Sequence, residues 1–285
     1  TNLKNTNMGY TYSLSALFEK SFYFGLDLAA SYTFGHSKSV YDGTSSVAYS
    51  NWKYNYAVDS NNPGLAYSMF DIPHRVMVSV GYRTPRYAKG FMATTVSLVY
   101  NGYVGQRYSL TMNESYYDAE KKKTVYIDYN GDGWGGNSLL YIPTEDELQK
   151  MDFKTEEDRR KFDEWIEGDS YAKKHRGAYA MRNSNSAPWE NRVDLHVAQD
   201  IFVLKDRGSK FQVTFDVTNF ANMLNKKWGT TYTAAYNVMP LQVIGSKKGE
   251  DGNYTNTYAY NSRNTITKND VLSRWHAQIG FKYIF

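Results

Sequence analysis

SRWHAQIGFKYIF, residues Ser273 to Phe285, sets Trp275, Ala277, Ile279, Phe281, Tyr283 and Phe285 on every second position, with Arg274, His276, Gln278, Gly280 and Lys282 between them. A period of two places the two sets on opposite faces of a β-strand. An ordinary soluble sheet could use such a strand. One that ends the chain on an aromatic residue and recurs along the sequence points to an all-β fold, a transmembrane antiparallel barrel in a bacterial outer membrane.

Six earlier segments repeat the pattern. Met8, Tyr10, Tyr12, Leu14, Ala16 and Phe18 share one face of the first. After a tight turn placed at Lys20-Ser21, Phe22, Phe24, Leu26, Leu28, Ala30, Tyr32 and Phe34 share a face of the second. Val76, Val78, Val80 and Tyr82 mark the third, and Met92, Thr94, Val96, Leu98 and Tyr100 the fourth. The fifth carries Val193, Leu195, Val197, Ile201 and Val203, with Gln199 interrupting its apolar face, where a bulge is expected. A turn at Lys205 to Ser209, with Gly208 free to take a positive φ, leads to Phe211, Val213, Phe215 and Val217 of the sixth.

Composition agrees with a membrane strand protein without requiring it. The 285 residues include 27 Tyr, 14 Phe and 6 Trp, yet the mean hydropathy is −0.63. No run approaches the roughly 18 apolar residues a membrane helix needs, so a helical membrane protein is excluded. A formal charge of +4, from 33 basic and 29 acidic residues, does not suggest a nucleic-acid binder. Cysteine is absent, which removes disulfides, thiolate metal sites and thiol nucleophiles from this chain. The opening TNLKNTNMGY lacks the features of a secretory signal, so an exported precursor would begin earlier.

Connection lengths separate the membrane barrel from a soluble sandwich. Strands one and two, three and four, and five and six follow each other closely, whereas Phe34 to His74, the stretch 104–190 and Val217 to Ser273 are long. Short turns on one rim and long loops on the other characterise outer-membrane barrels, whose long loops face the outside. The last strand then runs inward and ends at the periplasmic rim. Seven strands are an odd number, so the chain is expected to be the carboxy-terminal part of a larger barrel. The alternative is an eighth strand around Gly229 to Ile244, where TTYTAAY and LQVIG could form a hairpin.

The 104–190 loop holds two further signals. Asp128-Tyr129-Asn130-Gly131-Asp132-Gly133 presents oxygens at alternate positions before a turn glycine, matching the first half of a calcium loop. Leu139 stands where a bidentate Glu belongs, which excludes a complete EF-hand; Asn137 or the Trp134 carbonyl would complete a weaker Ca2+ site. Asn-Gly-Asp-Gly is equally good turn chemistry. Farther on, Thr144 to Glu147 forms a capping box, and Thr155 precedes a helix whose Phe162, Trp165 and Ile166 make an apolar stripe, so a small helical cap on the barrel mouth is expected. The five histidines are scattered with no HExxH or GxSxG. His196 and Asp194 share the interior face, but polar residues lining a lumen are expected anyway, and the chain is read as non-enzymatic.

NNPGLAYSMFDIPHRV (Asn61 to Val76), DYNGDGWGGNSLLYIP (Asp128 to Pro143), SAPWENRVDLHVAQDI (Ser186 to Ile201) and FDVTNFANMLNKKWG (Phe215 to Gly229) together resemble the Oar-like branch of TonB-dependent outer-membrane receptors of Bacteroidetes. The terminal strand, with Phe281, Tyr283 and Phe285, is similar to the barrel-assembly signal of outer-membrane proteins. The resemblance implies a 22-stranded barrel with an amino-terminal plug, of which these would be the last seven strands. Neither plug nor TonB box has a counterpart in these residues. Family members often carry Asp where Ser138 stands here. The implied partners are membrane lipid, the rest of the barrel with its plug, TonB and a surface lipoprotein; Arg75, Arg83, Asp194, Asp200 and Asp216 would line the lumen and touch the plug. The implied function is active uptake of a large solute such as a peptide, glycan or chelate. A surface protein that holds a partner without transport is the alternative.

Overall fold

The computed structural model of the chain describes residues 5–203, 209–234, 237–261 and 266–285. Seven long strands form one antiparallel wall in sequence order: β1 (Tyr10–Ser21), β2 (Leu26–Ser39), β3 (His74–Arg83), β4 (Met92–Tyr103), β5 (Glu190–Phe202), β6 (Lys210–Thr218) and β7 (His276–Ile284). All seven segments read from periodicity are wall strands. Their lengths suit the roughly 9–11 tilted residues needed to span a bilayer. The wall does not close on itself: among the described residues β1 and β7 each pair on one side only.

Register keeps the apolar sets together. Leu28 lies opposite Val80, Val80 opposite Leu98, Leu98 opposite Leu195, Leu195 opposite Val217 and Val217 opposite Ala277. A slip of one residue at any pair would turn one strand's apolar set to the opposite face. That face is not buried by the protein: Leu14, Ile279 and Phe281 are 72%, 63% and 82% exposed. So much contiguous apolar surface is not a soluble sheet's arrangement, and it is what lipid covers.

Two local expectations are corrected. Gln199 causes no bulge; β5 runs in unbroken register past it, opposite Thr94 on one side and Val213 on the other. Its amide is satisfied near the rim, where the Tyr87 and Thr94 hydroxyls donate to Oε1 at 2.9 and 2.8 Å. The first turn lies at Phe22 to Gly25 rather than Lys20-Ser21, so Phe22 and Phe24 belong to the turn and not to β2. Gly25 fixes this position: its φ is +93°, and a Cβ there would sit 2.2 Å from the Arg83 carbonyl oxygen. Of the turn expected after β5, Lys205 to Gly208 lie outside the described residues.

The buried apolar core lies in the loops. Arg107–Asn113 pairs in parallel with Asn237–Lys248, which pairs antiparallel with Tyr254–Tyr260; Asp152–Phe153 and Asn185–Ser186 complete a five-stranded sheet. The segment containing LQVIG is therefore a loop strand, while Tyr232–Thr233 pairs with Thr267–Lys268. Among the described residues neither joins the wall nor pairs with the other, so the eighth-strand hairpin is not seen there; Ala235 and Tyr236 of TTYTAAY lie outside the described residues. The register shifts between Val238 and Leu241, where Pro240 has no N–H to give the ladder.

Helices pack on this sheet. Beyond α1 (Ala48–Lys53), α2 (Glu145–Lys150) opens on the full capping box of Thr144 and Glu147, and α3 (Glu156–Gly168) is capped by Thr155. Phe162 and Ile166 of α3 are fully buried, in a core with Leu110, Leu140, Ile142, Leu148 and Leu241. The helical stripe is as read from the sequence; the sheet beneath it is additional.

Candidate functional site

All three long connections meet in this cap. Asp71, from the first, sits in the interior with its carboxylate accepting from Arg107 of the second: Nε and Nη2 reach Oδ2 at 2.9 and 2.7 Å. The Ser37 amide donates to the other oxygen at 2.6 Å, and the Arg107 guanidinium lies 4.2 Å from the Tyr67 ring centroid. Charge, amide and ring thus enclose one ion pair. A second link uses Arg182, whose Nη1 donates to Asn55 Oδ1 at 2.5 Å and Nη2 to the Ser39 carbonyl at 2.6 Å. Burial pushes this guanidinium down from its ordinary range, opposed by Asp42, whose nearest oxygen is 4.0 Å away. The third connection joins through the parallel strand pair and through Asn237, whose Nδ2 donates to Thr111 Oγ1 at 3.0 Å.

The Asp128 loop lies at the centre of this junction. Asp128 accepts the Asp132 and Gly133 amides, each at 2.9 Å, and Asp132 accepts the Trp134 amide at 2.6 Å. The Asn130 and Asn137 side-chain amides donate to Asp132 Oδ2 at 3.0 and 3.2 Å, and Asn137 also donates to the Lys53 carbonyl. The structure therefore brings all four sequence-identified oxygen donors together. Among the described residues no three Asp, Glu, His or Cys side chains converge as a metal cage. Calcium takes six to eight oxygens, and here the carboxylates are engaged by N–H groups of the loop itself.

Glu114, not singled out by the sequence, is fully buried beside this loop. Its two oxygens accept the Ser138 and Tyr129 amides at 3.0 and 3.3 Å. Burial nevertheless dominates and raises its carboxyl to about 7, because the two amides and Ser138 only partly replace water and Asp132 adds like charge.

The face of the wall opposite the apolar one is polar and internally paired. Asp200 is almost fully buried and accepts from Arg83 at 2.8 Å, Lys210 at 2.7 Å and Gln212 at 2.8 Å. Ala93 opposes Asp200 in register and offers only a methyl group, which leaves room for Arg83 to reach across from β3. His196 and Asp216 are 2.5 Å apart, and Arg75 Nε donates to Asn101 at 3.2 Å. Asp194 works at the loop rim: it accepts from Arg192 at 2.9 Å and from the Asn219 amide at 2.7 Å.

Asn219 adopts a left-handed conformation, φ 57°, just past the end of β6. Its side-chain amide donates to the carbonyls of Gly229 and Ser273, each at 2.8 Å, tying the end of β6 to the approach to β7. A Cβ on Gly229 would fall 1.9 Å from Asn219 Oδ1, so that position admits only glycine. Asp71 and Asn219 lie inside the segments that carried the family resemblance, which was the available signal for them. Arg107, Glu114 and Arg182 had none. Phe281 and Tyr283 project from the edge strand β7, with Phe285 just beyond it; Tyr283 packs on Phe211 with ring centroids 4.9 Å apart.

Comparison with known proteins agrees with the wall. No curated protein and no solved structure matches the chain. A family model described as outer membrane beta barrel domain matches residues 1–274, nearly all of the sequence and every wall strand except β7, which begins just after it at His276. The exposed apolar face is accordingly the face an outer-membrane barrel turns to lipid. With an antiparallel seven-stranded wall, an apolar outer face in continuous register and a near-complete family match, the chain belongs to the outer membrane beta barrel domain family.

Proposed function

We propose that this chain supplies part of the wall and the ligand-capturing loops of a TonB-dependent transporter that takes up a large solute, such as a peptide, glycan or chelate, across the outer membrane. The observation that carries this reading is the cap. Three loops separated in sequence interlock over a core of their own on the long-loop rim, the first with the second through Asp71–Arg107 and Arg182–Asn55, and the third with the second through its parallel strand pair and Asn237–Thr111. A loop cluster preorganised in this way loses less conformational entropy when it captures a ligand than three independent loops would. The polar inner face supports the same reading, because a wide lumen must present hydrogen-bonding groups to a plug or to a solute in transit.

The test compares periplasmic contents by mass spectrometry in cells with and without the intact protein, each with and without TonB. The transport reading expects solutes that accumulate only when both are present. Solutes retained at the surface regardless of TonB would replace it with the anchoring reading.

A further inference from the structure

At the junction of the three long connections lies a cavity of about 380 Å³, to which Val58 contributes from the first, Tyr129, Tyr141, Glu147 and Tyr179 from the second, and Tyr258 from the third. Its size is within the range of small-molecule sites. Four of its walls are tyrosines, and none of the residues lining it is Lys, Arg or His. The Tyr141 and Tyr179 rings stand 5.1 Å apart with their planes at 65°, so they form two faces of a corner. The Tyr129 and Tyr258 hydroxyls approach to 3.4 Å.

Among the described residues Glu147 is the one carboxylate in the lining. Its oxygens accept the Thr144 amide at 2.9 Å and the Tyr141 hydroxyl at 2.9 and 3.0 Å. These bonds, the Thr144 amide first, hold its carboxyl below the ordinary range, so it stays ionised at neutral pH. The cavity therefore combines electron-rich ring faces, a fixed negative charge and an aliphatic floor that includes Met112 and Leu241. Aromatic corners of this kind attract organic cations, whose diffuse charge meets the ring quadrupole while their alkyl surface leaves water. A phosphate or carboxylate would meet Glu147 and no compensating cation.

We infer that this cavity is a binding site for an alkylated ammonium group, held by the Tyr141–Tyr179 corner and the Glu147 carboxylate. The site goes beyond the transport reading, since binding requires neither plug nor TonB.

Isothermal titration of the intact protein in non-ionic detergent tests it, using choline and its uncharged isostere 3,3-dimethylbutan-1-ol. The expected result is choline binding at least tenfold tighter than the isostere. Tyr179→Leu keeps apolar bulk at an exposed position but removes one ring face, and is expected to weaken choline at least fivefold with little effect on the isostere. Both variant and parent must show the same thermal midpoint. Equal binding of the two probes, or no binding of choline, overturns the proposal, as does full choline affinity in a folded Tyr179→Leu protein.

Discussion

Asp71 and Arg107 form a buried ion pair, two guanidinium nitrogens on one carboxylate oxygen at 2.9 and 2.7 Å, and through it the first long connection is fastened to the second. Both side chains are almost wholly withdrawn from water. Removing one partner leaves the other charge buried without compensation, at a cost of about 3–5 kcal/mol.

Asp71→Asn is therefore expected to loosen the cap by about that amount and leave the wall folded. Limited trypsin digestion should cut the 104–190 loop far faster in the variant. Heat-modifiable mobility on gels, which reports the wall, should stay as in the parent. Unchanged protease resistance would mean that the ion pair does not fasten the loops.

Asp200 joins β3, β5 and β6 on the polar face of the wall through Arg83, Lys210 and Gln212. Asp200→Ala leaves two cations facing each other without a counter-charge. Because Arg83 is half exposed and partly screened, the expected loss is roughly 2 kcal/mol rather than the full buried-pair value. A lower urea midpoint for the wall, restored in part by Arg83→Gln in the same protein, is the expected outcome.

Glu114 makes cap stability depend on pH. Its folded carboxyl titrates near 7 against an ordinary 4.5, so the folded cap holds a proton that the unfolded chain has already released. The contribution is complete below about 4.5 and is lost as pH rises through about 7. Hydrogen exchange of the 104–190 loop, measured in chelator, should quicken across that window beyond the intrinsic rate. Glu114→Gln should flatten the dependence. It should also lower stability by about 1–3 kcal/mol, because its NH2 must face a backbone amide.

The Asp128 loop is closed by its own hydrogen bonds, with Asp128 receiving the Asp132 and Gly133 amides. Calcium and EGTA are accordingly expected to give thermal midpoints that agree. A midpoint raised by millimolar calcium, and abolished by Asp132→Asn, would assign the loop to metal instead.

The wall was legible because lipid imposes a strict rule on it. Leu98 and Leu195 must face out together, and so must Phe215 and Ile279, so parity repeats along every strand and survives in the sequence. The cap follows no such rule. Its ladders include two-residue pieces such as Asp152–Phe153, paired with residues far along the chain, and no local period records a partner that distant. The stripe of Phe162 and Ile166 was visible, but the surface it covers was not. Nothing in the local sequence sets Arg107 apart from other loop cations, because its partner Asp71 lies 36 residues away. Gln199 misled for the opposite reason, since a polar residue on an apolar face suggested irregular backbone when the Tyr87 and Thr94 hydroxyls satisfy it in place.

The central claim is that one face of the wall meets lipid and the other does not, and the absence of cysteine from this chain permits a direct measurement. Single cysteines at Val80, Leu98 and Phe215, and separately at Ser79, Ser97 and Asp216, would carry nitroxide labels on the intact protein in bilayers. Collision with oxygen, which concentrates in hydrocarbon, should be high for the first three, and collision with a water-soluble nickel chelate low. The second three should show the lower oxygen exposure. Equal oxygen exposure of neighbours such as Ser97 and Leu98 would contradict the barrel wall described here.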